Sequence, residues 1–435
     1  MGKEALHKSP SYYIRQRLLS NKPAMLGLLI ILLSCVIATL GYLIMPDDTP
    51  NANDMAVEIQ KKPPMFKAKL LLYKKDKKVE QHNFFYKLLF GQESEYTPIP
   101  ILSYELRKDS IFYQITAIAR NESKRDSSRR KKQTEKFQRQ STVKTVGKPL
   151  ISFVKAVYPN KSTKIDTLGS IYKLEGETIT YLDLNEQLQQ VSLSAVQQEF
   201  IANNVIEKTY YFGTDKLGRD VLSRLIFGTR ISLGIGFVAL LISLALGIIL
   251  GALGGFFGGI VDSVITWLMT VVWSIPNVML VIAISLALNS KGVWVAFVAV
   301  GLTMWVEVAR VVRGEILSIK EKVYVEAARA FGLSSWRIIY RHILPNMLGS
   351  LIVISSSNFA SAILVEAGLS FLGLGVQLPM PSWGIMVKEG FNVLGTADSW
   401  HLIFFPSIAI SVLVLAFNLL GNGLRDAYDP KTMLK

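Results

Sequence analysis

Six stretches of this chain, residues 25–45, 231–252, 264–288, 293–312, 348–374 and 402–420, are almost continuously apolar. Each is about as long as a bilayer core is thick, which takes roughly 20 helical residues. Inside lipid every backbone N–H and C=O must find a partner within the protein, and a helix does this within one segment. The blocks therefore predict an all-α polytopic membrane protein with six transmembrane helices. Composition alone would not decide this. The hydrophobic fraction of 50% is one that soluble proteins also reach, so the blocking carries the argument.

Residues 1–24 are polar and basic, with Lys3, Lys8, Arg15, Arg17 and Lys22, a bias that marks the cytosolic side of a span. The run 25–45 is long for a signal peptide and has no small-residue cleavage site before Pro46, so a retained first span is expected. Residues 46–208 contain no candidate span. Residues 69–73 and 79–85 are expected to pair as a hairpin, and 170–174, 178–182 and 189–193 to form further strands. Residues 193–206 are expected to be helical, and 122–139, rich in Lys, Arg, Ser and Gln, to be a disordered basic loop. The domains expected are thus the tail and first helix at 1–45, a β-rich extracytoplasmic insert at 46–208, and a core of five further helices at 209–435.

Between the fourth and fifth of the six apolar stretches lies KEKVYVEAARAFGLSSWRIIYRHILP, residues 320–345. Tyr324, Ala327, Ala328 and Phe331 are expected on one face of a short helix, and Gly332 at its left-handed end. Ser334 can cap a second short helix with Trp336, Ile339 and Ile343 on one side, which Pro345 is expected to stop. The product is a basic, amphipathic elbow within a cytosolic loop, residues 313–346. Three spans separate it from the insert, so a cytosolic elbow places the insert outside. The insert's basic charge argues the other way, but long loops translocate largely regardless of charge.

Several function classes are excluded or disfavoured. The single cysteine, Cys35, allows no internal disulfide. His7, His82, His342 and His401 are too scattered for a metal site. No Gly-x-x-x-x-Gly-Lys-Ser/Thr sequence occurs, so no P-loop is present and any ATP must be bound by another chain. The net charge of +15 is better explained by the flanks of membrane spans than by nucleic acid.

Further on, Gly247, Gly251, Gly255 and Gly259 recur every fourth residue, a stripe for close helix packing. Pro276 is expected to kink the third span beside Asn277. Glu307, Arg310 and Arg313 share a face and are expected to form an ion-paired helix exit. Ser357, Asn358 and Glu366 lie within the fifth span, where polar groups are costly and so are pathway candidates.

Glu326, Ala327, Ala328, Gly332, Leu344 and Pro345 resemble the EAA loop of the membrane subunits of ABC importers. GTDKLGRDVLSR, with Gly213, Asp215, Gly218, Arg219, Asp220 and Arg224, resembles the signature of the second permease subunit of dipeptide and oligopeptide importers. EAGLSFLGLGV from Glu366, PSWG from Pro381 and the C-terminal GNGLRDAYDPK are similar to the same family. Family members often carry Arg and Asp where this chain has Trp267 and Thr270. The resemblance implies a MetI-like permease in a bacterial inner membrane with both termini cytosolic. It implies coupling to an ATPase through Glu326, Ala327, Ala328, Phe331 and Gly332, and no cofactor of the chain's own. The implied partners are a second permease, two ATP-binding subunits, an extracytoplasmic solute-binding protein and lipid. The rival reading is a membrane-anchored receptor or adhesion protein with the insert as its active part, which leaves the elbow without a purpose.

Overall fold

The structure is a computed structural model, and it describes residues 10–118, 141–157, 172–290, 292–396 and 399–428. The expected basic loop at 122–139 lies outside the described residues. In chain order, α1 (Pro10–Ser20) and α2 (Lys22–Ile44) precede β1 (Phe66–Lys74), α3 (Phe84–Phe90), β2 (Tyr96–Ile101), β3 (Ser103–Arg107), β4 (Ser110–Ile118) and β5 (Ser141–Pro149). Next come α4 (Ile151–Val154), β6 (Tyr172–Glu175), β7 (Thr178–Leu182), β8 (Leu188–Ser192), α5 (Leu193–Asn203) and β9 (Val205–Tyr210). The helices α6 (Val221–Phe257), α7 (Gly259–Ser274), α8 (Asn277–Ala287), α9 (Val293–Ile319), α10 (Val323–Ala330) and α11 (Ser335–Ile338) follow, then α12 (Leu348–Leu372), α13 (Trp383–Phe391) and α14 (His401–Tyr428). These fall into two units. One is helical: Met1–Met45, Arg224–Leu394 and Leu402–Lys435. The other is Pro46–Ser223 with Gly395–His401.

Among its described residues the second unit holds three antiparallel three-stranded sheets, ordered β2-β1-β9, β3-β4-β5 and β6-β7-β8. In β1 the neighbours Leu70 and Leu71 point to opposite faces, and both are buried. Leu71 joins the main core with Ile111, Phe153, Ile179 and Phe200; Leu70 joins a smaller one with Ala56, Ile59 and Tyr210. Strand β1 is therefore the central strand.

This overturns the expected hairpin between 69–73 and 79–85. The edges of β1 are taken by β2, from Lys74↔Tyr96 to Lys69↔Ile101, and by β9. Residues 84–90 are the helix α3, with Asn83 extended at its N-cap and Gly91 at φ 78° after its end. The expected helix over 193–206 is shortened as well, because Val205 pairs with Leu71 in β9. The meander of β6, β7 and β8 matches the expected strands.

Among the described residues of the helical unit, five helices are long and apolar enough to cross a membrane, or six if α7 and α8 count as one bent span. The expected kink at Pro276 is a break, with the two helices meeting at 96°. The tail contains α1, and α13 lies between α12 and α14. Three of the four stripe glycines lie on α6 and pack against α9; Gly259 instead opens α7 at φ 55°, where a Cβ would meet nothing within 4 Å. A Cβ on Gly247 would fall 2.4 Å from Val308 Cβ, and one on Gly251 2.6 Å from the Ala309 carbonyl. One on Gly255 would fall 3.0 Å from the Arg313 carbonyl. Lipid offers no hydrophobic gain for helix association, so backbone approach supplies the dispersion energy instead.

Two expectations follow. Gly251→Leu should part α6 from α9 and destabilise the protein by about 2 kcal/mol or more, read as a lower melting temperature, while Gly314→Ala, where a Cβ meets nothing within 4 Å, should be silent. Equal effects of the two would refute the stripe. In the second unit, burial and then the neighbouring Asp47 push the half-buried Asp54 carboxyl up to about 6 from 3.8. A raised folded pKa favours the fold while the group is protonated, and that advantage is lost as pH rises through about 6. Ionised Asp54 should thus cost on the order of 2–3 kcal/mol at pH 7.5. Asp54→Asn should increase hydrogen-exchange protection of residues 47–60 at that pH and leave it unchanged near pH 4.

Candidate functional site

The elbow is α10, a glycine corner and α11. After Phe331, Gly332 takes φ 72°. Its N–H donates to the Arg329 carbonyl at 2.9 Å, and the Leu333 N–H donates to the Ala328 carbonyl at 3.2 Å. That pair of bonds is the Schellman arrangement, which needs a left-handed residue at this position. Burial then separates two faces. Val325, Ala328, Ile338, Ile339 and Ile343 are buried with Val312, Ile316 and Ile319 of α9, Ala252 of α6 and Leu351 of α12. At about 1.5–3 kcal/mol for each large side chain, this anchors the elbow to the spans.

The expected face is divided by this packing. Of Tyr324, Ala327, Ala328 and Phe331, only Ala328 turns inward; Phe331 is 85% exposed, and Trp336 is exposed too. The inward residue missed is Val325, one helical turn before Ala328. Glu326, Ala327, Phe331 and Gly332 are all exposed. Pro345 does not stop the helix. A wide π turn over Ile339–Ile343 and a 3-10 turn over Leu344–Met347 carry the chain past it, so Ser335–Leu372 is continuous. Polar and aromatic contacts brace the elbow's base. Arg313 grips Asp262 with Nε–Oδ1 at 2.5 Å and Nη2–Oδ2 at 2.7 Å. Lys320 Nζ donates to the Gly255 carbonyl at 3.2 Å, Arg329 lies 5.1 Å over the Phe256 ring, and Trp336 meets Phe257 edge-on. The expected pairing of Glu307, Arg310 and Arg313 with one another fails: Arg313 takes Asp262, and Arg310 lies 4.0 Å over Trp273.

The GTDKLGRD signature builds a buried lock in the second unit. Asp215 accepts the N–H groups of Leu217 and Arg219 on one oxygen and pairs with Arg219 Nε at 2.7 Å on the other. Arg219 is 1% exposed and donates to Asn53 Oδ1 at 3.1 Å. Gly218 has φ 78°, and a Cβ there would sit 1.7 Å from the Ala56 carbonyl, so no other residue fits. Asp220 accepts from the N–H and hydroxyl of Ser223. In the helical unit, buried Arg224 pairs with Glu389 of α13 at 2.6 Å, a partner the sequence reading did not find. Trp383 of the PSWG motif donates to the Leu225 carbonyl at 3.0 Å.

The three pathway candidates separate. Glu366 is 0% exposed and accepts from Ser370 at 2.7 Å and from Ser232 of α6 at 3.4 Å, so it ties α12 to α6. Asn358 is buried, with no hydrogen-bond partner for either amide atom among the described residues. Ser357 lines a cavity of about 400 Å³ between α9, α12 and α14, with Glu315, Ser350, Arg425 and Tyr428 on its walls. Of the three, Ser357 is the one at an open surface.

Residues 226–434 match the model of the binding-protein-dependent transport system inner membrane component, and residues 9–64 that of the N-terminal TM domain of oligopeptide transport permease C. The dipeptide transport system permease DppC of Bacillus subtilis is 42% identical over 239 residues, covering 55% of this chain and 74% of that protein. The chain belongs to this permease family. The glutathione transport system permease GsiD of Pectobacterium atrosepticum is 43% identical over 222 residues, 51% of this chain and 73% of that one. Among solved structures, the inward-facing MetNI methionine ABC transporter aligns with TM-score 0.40 and 18% identity, covering 48% of this chain and 98% of that chain.

The permease family match takes in the elbow and Arg224's partner Glu389, but residues 65–225, with most of the second unit, lie between the two matched ranges. At the elbow, Gly332→Pro would force φ to about −65°, against the 72° that the corner requires. A variant that reaches the membrane at normal levels yet loses transport is expected, with Gly332→Ala, which costs about 1–2 kcal/mol of left-handed strain, intermediate. Normal uptake by a well-expressed Gly332→Pro protein counts against the elbow.

Proposed function

We propose that this permease is the second membrane subunit of an ATP-driven peptide importer. The observation that carries the reading is the two-faced elbow. One face is locked among α6, α9 and α12, and the other offers Glu326, Ala327, Phe331 and Gly332 to a partner. A lever must be rigid toward what it moves and open toward what drives it, and this element is both. The DppC and GsiD relatives, named for dipeptide and glutathione transport, support a short peptide as cargo.

In this reading the chain crosses a bacterial inner membrane six times in the MetI-like manner, with α7 and α8 as one broken span and both termini cytosolic. The insert then lies outside, where a solute-binding protein delivers cargo. A second permease completes the pathway, and two P-loop subunits bind the ATP, so this chain holds no cofactor. Closure of the ATPase pair carries the elbow with it, and the spans rock between outward and inward access. Cargo biases that equilibrium only through different affinities for the two states. The receptor reading has no use for the elbow and is set aside.

The test is reconstitution with the companion subunits in liposomes, with Ala327→Cys in a Cys35→Ser background. ATP-dependent accumulation of a labelled dipeptide is expected, together with cross-linking of position 327 to the P-loop subunit. An assembled, ATP-hydrolysing complex that accumulates no peptide overturns the cargo; absence of the cross-link overturns the coupling.

A further inference from the structure

The helix α3 presents an exposed apolar surface. Its sequence is FFYKLLF, and none of its residues is buried. Phe84, Phe85, Tyr86, Leu89 and Phe90 are between 44% and 76% exposed. Among the described residues, none of the seven belongs to the core around Phe153 or the core around Leu70, or to the partly buried shell around them. Soluble surfaces seldom carry so dense an apolar patch without an occupant. The helix is nonetheless well held. It sits in the excursion between β1 and β2, which Lys74↔Tyr96 closes at its base. Gln92 clamps the excursion by donating to the Glu80 carbonyl at 2.8 Å and accepting from the His82 N–H at 3.3 Å. Tyr86 and Phe90 pack ring on ring at 4.9 Å, so the patch is a formed surface.

The chain itself says what lies near. Gln92, two residues past the end of α3, donates its N–H to the Asp48 carbonyl at 3.2 Å. Asp48 is four residues after Ile44, the last residue of α2. Four residues span at most about 14 Å. Connectivity therefore tethers the end of α3 within a short reach of the point where a membrane span ends. Tyrosine and phenylalanine beside leucine, with one lysine, is the composition that settles at the boundary of headgroups and acyl chains.

We infer that α3 is a membrane-surface foot: its aromatic face docks into the lipid leaflet at which α2 ends, pinning the insert to the bilayer. The inference rests on α2 being a membrane span, and the experiment separates the two. The full-length protein is placed in phosphatidylethanolamine–phosphatidylglycerol nanodiscs and spin-labelled at one cysteine at a time. Accessibility to oxygen, which partitions into lipid, is compared with accessibility to a water-soluble nickel chelate. Native Cys35, exposed within α2, reports on the span. Phe85→Cys and, separately, Leu89→Cys, each with Cys35→Ser, report on the foot. Lys108→Cys, in the exposed turn between β3 and β4, is the aqueous reference. Labels at 85 and 89 are expected to show an oxygen-to-nickel ratio several-fold above that at 108, with Cys35 higher still. Ratios at 85 and 89 equal to that at 108 overturn the foot while leaving the span. So does a loss of access to both reagents, which means another protein surface covers the helix. A low ratio at Cys35 overturns the span itself.

Discussion

The close approach of α6 and α9 is the constraint on which the helical unit depends. At Gly247, Gly251 and Gly255 the missing side chains let the α9 backbone and its Val308, Val312 and Ile316 lie directly on α6. The lowest step of that ladder is also the platform of the elbow. The Gly255 carbonyl accepts from Lys320, and the phenylalanines that follow it meet Arg329 and Trp336. Between the end of α9 and the start of α10 lie only residues 320–322. So short a link has little slack, and the elbow's position is inherited from the packing of two spans.

Burial is distributed unevenly among those spans, and this has a mechanical reading. In α9, 67% of the apolar window is buried within the chain, against 22% in α2 and in α14. Helix α9 is the axis around which the others are arranged, and the outer faces of α2 and α14 are left for lipid or another subunit. The break between α7 and α8 lies against the same axis. Pro276 and Asn277 share a small cavity with Thr303 and Glu307 of α9. Freed backbone groups in a broken span need polar or watery surroundings, and Glu307 supplies one such group.

Most of this architecture was legible because lipid enforces a simple code. Long apolar blocks became helices, three of the four regularly spaced glycines became a packing stripe, and the signature residues became a lock. What was not legible depended on neighbours distant in sequence. Helical spacing grouped Phe331 with Ala328 on one face, yet spacing alone cannot say which residues meet the core; Val325 and Ala328 are the buried ones because α9 presents Ile316 and Ile319 there. The pairing of Arg313 with Asp262 across 51 residues left no local trace. Residues 79–85 looked like a strand because the turn-like residues 74–78 separate them from β1, whereas the true partners β2 and β9 arrive only after longer connections. Here a local signal was present and missed: Asn83 and Gly91 bracket α3 as helix start and stop.

The same pairing explains how a permease can carry so large an insert. The family matches stop at residue 64 and resume at 226. Just inside those limits, β1 and β9 run antiparallel, with Phe66 opposite Tyr210. Opposed residues in such a ladder have Cα atoms only about 5 Å apart. The chain therefore leaves and returns at nearly one point, much as a tight turn would. Between those two strands the unit builds its own core around Phe153 and Phe200. Insertions are tolerated when their ends lie close together and their interior is self-sufficient, and the central position of β1 meets both conditions: one face completes the insert's core, while the other, through Leu70, packs on Ala56 and Ile59 in the segment shared with the family.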